Sequence, residues 1–135
     1  MDKQSIQNLC KEAEKASQNA HAPYSNFHVG AALLAKNHKI YHGCNVESSS
    51  YGLTICAERN AIAAAVVHGE TEFEALAVYS SVGAAPCGAC RQVIWDICHN
   101  IPVYVIDDKG HIRTYTSAEI LPVPFDENKL KEAEK

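Results

Sequence analysis

The sequence predicts an α/β protein in three layers, a mixed sheet of about five strands with helices on both faces. Short apolar runs of strand length alternate with longer stretches of helical periodicity. Polar turn residues bound each run. The predicted order of helix, hairpin, helix, strand, helix, strand, strand joins strands through helical crossovers, so parallel neighbours with right-handed connections are expected. At 135 residues, 47% of them apolar and 21% charged, the chain is expected to bury a sizeable core as one domain spanning 1–135.

The first helix is predicted over residues 4 to about 20. Ile6, Leu9, Cys10, Ala13, Ala16 and Ala20 share one face, and the residue before Pro23 ends it. Phe27 to Leu34 reads as a buried strand, and its small Gly30, Ala31 and Ala32 imply close packing. Lys36-Asn37-His38-Lys39 is a turn, with Ile40 to Val46 as hairpin partner. Glu47 to Gly52 is a polar loop. Thr54 is the expected N-cap of a helix that is apolar nearly all round, and is therefore buried, ending at His68-Gly69. Phe73–Tyr79 reads as a central strand. A helix follows over about 87–99, then strands over Ile101–Asp107 and Ile112–Tyr115, and a short helix over Ser117–Leu121 stopped by Pro122 and Pro124. Residues 126–135 are charged and are expected to be frayed or a loose helix.

Net charge is −4, which argues against a polynucleotide substrate or an anionic membrane partner. No apolar run approaches the ~20 residues of a membrane span, and Met1-Asp2-Lys3-Gln4 begins no apolar signal core. The chain is therefore expected to be cytoplasmic. Six cysteines in that setting are expected to be thiols or metal ligands rather than a disulfide framework. Cys10, Cys44 and Cys98 are expected to be buried as small apolar residues.

The remaining three fall in two short runs, Cys56-Ala57-Glu58-Arg59 and Pro86-Cys87-Gly88-Ala89-Cys90-Arg91. A zinc ion that does chemistry takes three protein ligands and keeps a position open. Cys56, Cys87 and Cys90 supply three ligands, and Glu58 is free to move protons. Both runs lie at predicted helix starts, where free N–H groups and the helix dipole stabilise thiolates. Arg59, and after it Arg91, is placed to donate to a thiolate sulfur and withdraw excess charge. Cys-x-Glu followed by Pro-Cys-x-x-Cys is the pattern of zinc deaminases that act on nucleobases.

The sequence resembles the small homotetrameric cytidine deaminases of pyrimidine salvage. The likeness runs from Tyr24 to Phe125. Besides the two cysteine runs, with Gln92, it includes Tyr24-Ser25-Asn26-Phe27, Val29-Gly30-Ala31-Ala32-Leu33, Gly43-Cys44-Asn45-Val46-Glu47 and Leu121-Pro122. The resemblance implies one zinc per chain and a nucleoside substrate. Asn45 and Glu47 would hold the ribose 3′-hydroxyl, and Phe27 would pack on the pyrimidine. The Ala57 N–H would bind the base carbonyl, and Glu58 the ring nitrogen and leaving amine. Tyr51 and Phe125 match positions that reach into a neighbouring subunit's pocket. The chain departs from the family at Ala85, where serine is usual, and at Ser48-Ser49, where Asn-Ala is frequent.

The expected reaction is hydrolytic deamination of cytidine and 2′-deoxycytidine, with zinc-activated hydroxide attacking C4 and Glu58 shuttling protons. Two alternatives stay open on the sequence. One is the same chemistry on a related nucleoside such as blasticidin S. The other is a non-catalytic zinc protein or a Cys-x-x-Cys redox module. A nearly all-apolar helix in so small a chain, together with the resemblance, suggests a homotetramer with shared sites.

Overall fold

The computed structural model describes residues 1–134; Lys135, the end of the charged tail, lies outside them. α1 (Lys3–Ser17) is opened by Asp2, whose carboxylate accepts from the Ser5 N–H. β1 (Gly30–Ala35) and β2 (Ile40–Cys44) form a hairpin. α2 (Ala57–Val67), β3 (Phe73–Tyr79), α3 (Gly88–Cys98), β4 (Pro102–Ile106) and β5 (Ile112–Thr116) follow. α4 (Ser117–Ile120) begins with a reciprocal capping pair between Thr116 and Glu119, and α5 (Glu127–Ala133) is capped by Asp126.

The sheet is five-stranded and mixed, ordered β2-β1-β3-β4-β5. Only β3 and β4, joined through α3, pair in parallel. One face buries Ala32, Ala75, Ala77, Tyr104 and Ile106 under Leu9, Cys10 and Ala13 of α1. The other buries Leu33, Leu76, Val78, Val103 and Val105 under α2 and α3. The three-layer expectation holds because each strand carries apolar residues on both sides, as a covered sheet requires.

Two glycines set how closely helices approach. A Cβ on Gly30 would lie 1.9 Å from the Ala13 carbonyl oxygen, and one on Gly43 would lie 2.3 Å from the Ala57 carbonyl oxygen. The Gly43 contact seats the first turn of α2 against the end of β2, which brings Asn45 and Glu58 to one place.

Several boundaries differ from the sequence expectation. β1 starts at Gly30, not Phe27, because Asn26 turns the chain at φ 56 and the Asn45 side chain takes the Phe27 carbonyl and the Val29 N–H. β2 stops at Cys44 because the chain there leaves β1, and Val46 pairs instead with His21 and Ile55. That pairing keeps Ile55 extended, so α2 cannot start earlier. Its N-cap is therefore Cys56, not Thr54, whose hydroxyl accepts from the Ser48 N–H. α2 is also not buried all round: Ala63, Val66 and Val67 are exposed. Cys44 is only half-buried, whereas Cys10 and Cys98 are buried as expected. The tail forms the exposed helix α5.

Candidate metal and substrate site

Cys56 and Cys87 are the N-cap residues of α2 and α3, both extended, and Cys90 lies in the first turn of α3. The parallel β3–β4 crossover and the α2–α3 packing bring these helix starts together. The Cys56 and Cys87 Sγ atoms are 3.9 Å apart, and Cys87 and Cys90 3.6 Å. All three sulfurs lie within 4.8 Å of one another, and no other group of three His, Cys, Asp or Glu side chains does so among the described residues. A tetrahedral zinc with Zn–S of about 2.3 Å needs sulfurs about 3.8 Å apart. The three thiols fit zinc as they stand, and a three-ligand set leaves the fourth position for water or substrate.

The surroundings favour the thiolate at Cys56. A hydrogen bond from Cys90, reinforced by the Arg59 guanidinium, holds the Cys56 thiol well below its usual range, while Cys90 is pushed the other way. Arg59 Nη2 donates to Cys56 Sγ at 3.6 Å, and its buried Nε has no partner among the described residues. Arg91 takes a different place from the one considered for it. Its Nε donates to the Pro86 carbonyl at 2.7 Å and its Nη1 to the Ile120 carbonyl at 3.0 Å, so it clamps the entry to α3 onto the end of α4.

Glu58 is only 4% exposed. Burial pushes its carboxyl up to about 7, the Cys56 thiolate adding to the effect and Arg59 opposing it. A buried carboxyl that exchanges its proton near neutrality is suited to proton transfer. Glu58 shares a cavity of about 190 Å³ with Phe27, Asn45, Cys56, Ala57 and Cys87, while Ala84, Ala85, Val29 and Val78 give it an apolar wall. Thr54 joins this cavity to an open one of about 370 Å³ lined by Tyr24, Ser25, Glu47 and Tyr51. Among the described residues, no lysine, arginine or histidine lines either cavity.

Asn45 is buried at 8% exposure, and its Nδ2 donates to the Phe27 carbonyl at 2.7 Å. Glu47 accepts from the backbone N–H groups of Tyr24 and Ser25 and from the Ser25 hydroxyl. Both side chains thus hold the 24–29 loop and retain unused hydrogen-bonding capacity toward the cavities. Tyr51 is 75% exposed and meets Tyr24 edge-on at 5.8 Å. Phe125 is 60% exposed and lines neither cavity of its own chain.

The sequence reading assigned no site role to Ser25, Gln92 or Trp95, and gave Thr54 only that of a helix cap. Gln92 Nε2 donates to the Phe125 carbonyl at 2.6 Å, and Trp95 Nε1 to the Asp126 carboxylate at 3.0 Å, fixing the segment that presents Phe125. The sequence signal available for these was slight: hydrogen-bonding side chains at Gln92 and Trp95 of a partly polar helix, and a serine two residues before Phe27.

Residues 3–106 match the family described as "Cytidine and deoxycytidylate deaminase zinc-binding region". The chain is 47% identical over 131 residues to a cytidine deaminase of Sporosarcina psychrophila, covering 95% of this chain and 96% of the relative. It is 44% identical over 122 residues to a cytidine deaminase of Halalkalibacterium halodurans, covering 88% and 92%. Its fold superposes on the crystal structure of cytidine deaminase from Burkholderia pseudomallei with a TM-score of 0.87, 41% identity and coverage of 93% and 100%. With three thiols at zinc-binding separation, a buried glutamate two residues from the first of them, and this likeness over nearly its whole length, the chain belongs to the zinc-dependent cytidine and deoxycytidylate deaminase family.

Proposed function

We propose that this chain is a single-domain hydrolase that converts cytidine and 2′-deoxycytidine to uridine and 2′-deoxyuridine with release of ammonia. The observation that carries this is the buried Glu58 carboxyl on the wall of one cavity with Cys56, Cys87, Ala57 and Asn45. Cys56, Cys87 and Cys90 would hold zinc, which when bound supplies the Lewis acid that makes hydroxide available at neutral pH.

The protein's own residues do the rest. Glu58 takes one proton from the attacking water and gives it to N3 of the pyrimidine, then takes the second from the hydroxyl now on C4 and gives it to the departing amine, leaving the C4 carbonyl and ammonia. The Ala57 N–H, free at the start of α2, receives the base carbonyl. Phe27 packs on the ring. Asn45 and Glu47 grasp the ribose 3′-hydroxyl from two sides. Arg59 orients Cys56 and withdraws charge from its sulfur. The Glu47 carboxylate, in cavities where no cation stands among the described residues, favours an uncharged nucleoside over its phosphate.

The exposed Ala63, Val66 and Val67 face of α2, with Tyr51 and Phe125 projecting from the surface, supports a homotetramer in which neighbours complete each pocket. We place the enzyme in the cytoplasm, where free cysteines and a three-thiol metal site stay reduced; no helix among the described residues is long and apolar enough to cross a membrane. The assay is ultraviolet loss of the cytidine chromophore together with ammonia release. One ammonia per cytidine is expected; a higher kcat/KM on blasticidin S than on cytidine would overturn the substrate assignment.

A further inference from the structure

The proposed sugar ligands and the proposed base-packing aromatic form one hydrogen-bonded unit. Oε1 of Glu47 accepts from the backbone N–H groups of Tyr24 at 3.0 Å and Ser25 at 3.2 Å, and Oε2 accepts from the Ser25 hydroxyl. The same Ser25 oxygen accepts from the Phe27 N–H at 3.0 Å. On the far side of that residue, Asn45 takes the Phe27 carbonyl at 2.7 Å and the Val29 N–H at 2.9 Å. A serine hydroxyl has one proton and two lone pairs, so it can donate to Glu47 and accept from Phe27 at once. Asn26, between them, sits in the left-handed region at φ 56, which fixes the turn that makes this possible. The Phe27 backbone is thereby held from both ends by the two residues proposed to bind the sugar.

We propose that Ser25 is a positioning residue that couples capture of the sugar 3′-hydroxyl by Glu47 to the placement of Phe27 against the pyrimidine. The proposal rests on the reading of Asn45 and Glu47 as sugar ligands. A hydroxyl bound at Glu47 fixes the carboxylate that fixes Ser25, and Ser25 fixes the peptide carrying the aromatic. A nucleoside without the 3′-hydroxyl then loses base alignment as well as one hydrogen bond.

The test is a cycle of kcat/KM values for cytidine and 3′-deoxycytidine on the zinc-loaded enzyme, for wild type, Ser25→Ala and Ser25→Thr. Wild type is expected to lose about 100-fold when the 3′-hydroxyl is removed, in keeping with a charge-assisted hydrogen bond plus its consequences. Ser25→Ala is expected to lose only about 10-fold, with the cytidine deficit chiefly in KM, and Ser25→Thr to behave as wild type. Equal losses in wild type and Ser25→Ala overturn the coupling. A wild type indifferent to the 3′-hydroxyl overturns the sugar reading of Asn45 and Glu47 instead. Thermal midpoints accompany each variant; if Ser25→Ala does not fold, Ser25→Cys, which keeps the size but donates weakly, takes its place in the cycle.

Discussion

The two halves of the site are built differently. The metal half sits at the starts of α2 and α3, on Cys56, Ala57, Glu58, Cys87 and Cys90, and all its donors come from this one chain. Helices packed on a five-stranded sheet hold it, so backbone position is fixed by the core. The half proposed to hold the sugar is the exposed loop 24–29 and the segment 45–51, joined by side-chain hydrogen bonds to Asn45 and Glu47. Its aromatic Tyr51 is mostly exposed. On the proposed function, a rigid scaffold carries the chemistry and an exposed loop region held by side chains carries recognition.

Variants can break this division. The largest effect is expected at Glu58→Gln, which removes the proton shuttle while leaving the thiols. Turnover should fall by about 10³-fold with one zinc per chain retained by metal analysis. Near-normal turnover would mean that the metal half does not need its carboxylate.

The same variant sharpens the role of burial. A carboxyl raised from 4.5 to about 7 keeps its proton in the folded state after the unfolded chain has lost it, so its contribution to stability declines as pH rises through that window. Metal-free Glu58→Gln should therefore be more stable than metal-free wild type at pH 8, by roughly 3 kcal/mol, and the difference should vanish near pH 4. Denaturant midpoints at the two pH values measure it.

Arg59→Ala should weaken zinc binding by about 10- to 100-fold, since it removes the donor to Cys56 without removing a ligand. Competition with a chromogenic chelator reads this directly, and unchanged affinity would confine the orienting role to the helix starts. Smallest is the effect expected at the exposed aromatics. Phe125→Ala and Tyr51→Ala should each raise KM about 3- to 10-fold with kcat little changed, as uniform binding is lost. Light scattering on the same samples separates a lost contact from loss of the proposed tetramer. An active monomer unaffected by either substitution would make the sugar half self-sufficient and end the comparison.

The metal half was legible in the sequence because it is local. Cys56-Ala57-Glu58 and Pro86-Cys87-Gly88-Ala89-Cys90 each lie within one helix start, and ligand chemistry depends on residue type and short spacing. The layer order was legible for a similar reason, since strands covered on both faces read as continuous apolar runs. The sugar half was less so. Asn45 and Glu47 stood out by chemistry and resemblance, but their grip on residues 24–29 joins segments some twenty positions apart, and no local pattern records such a pairing.

By itself the sequence determined the three-layer α/β class, the three thiols and the carboxylate two residues from the first of them, because apolar patterning and ligand chemistry follow from residue type and short spacing; the burial of that carboxylate came from the packing of α2. Only the tertiary structure decided where the elements begin and what each polar side chain does. Ile55 is extended because Val46 pairs with it, which moves the cap of α2 to Cys56. Arg91 holds two carbonyls rather than a thiolate because Ile120 is brought beside Pro86. In each case the outcome turns on a partner remote in the chain, and distance in space is set by packing rather than by sequence.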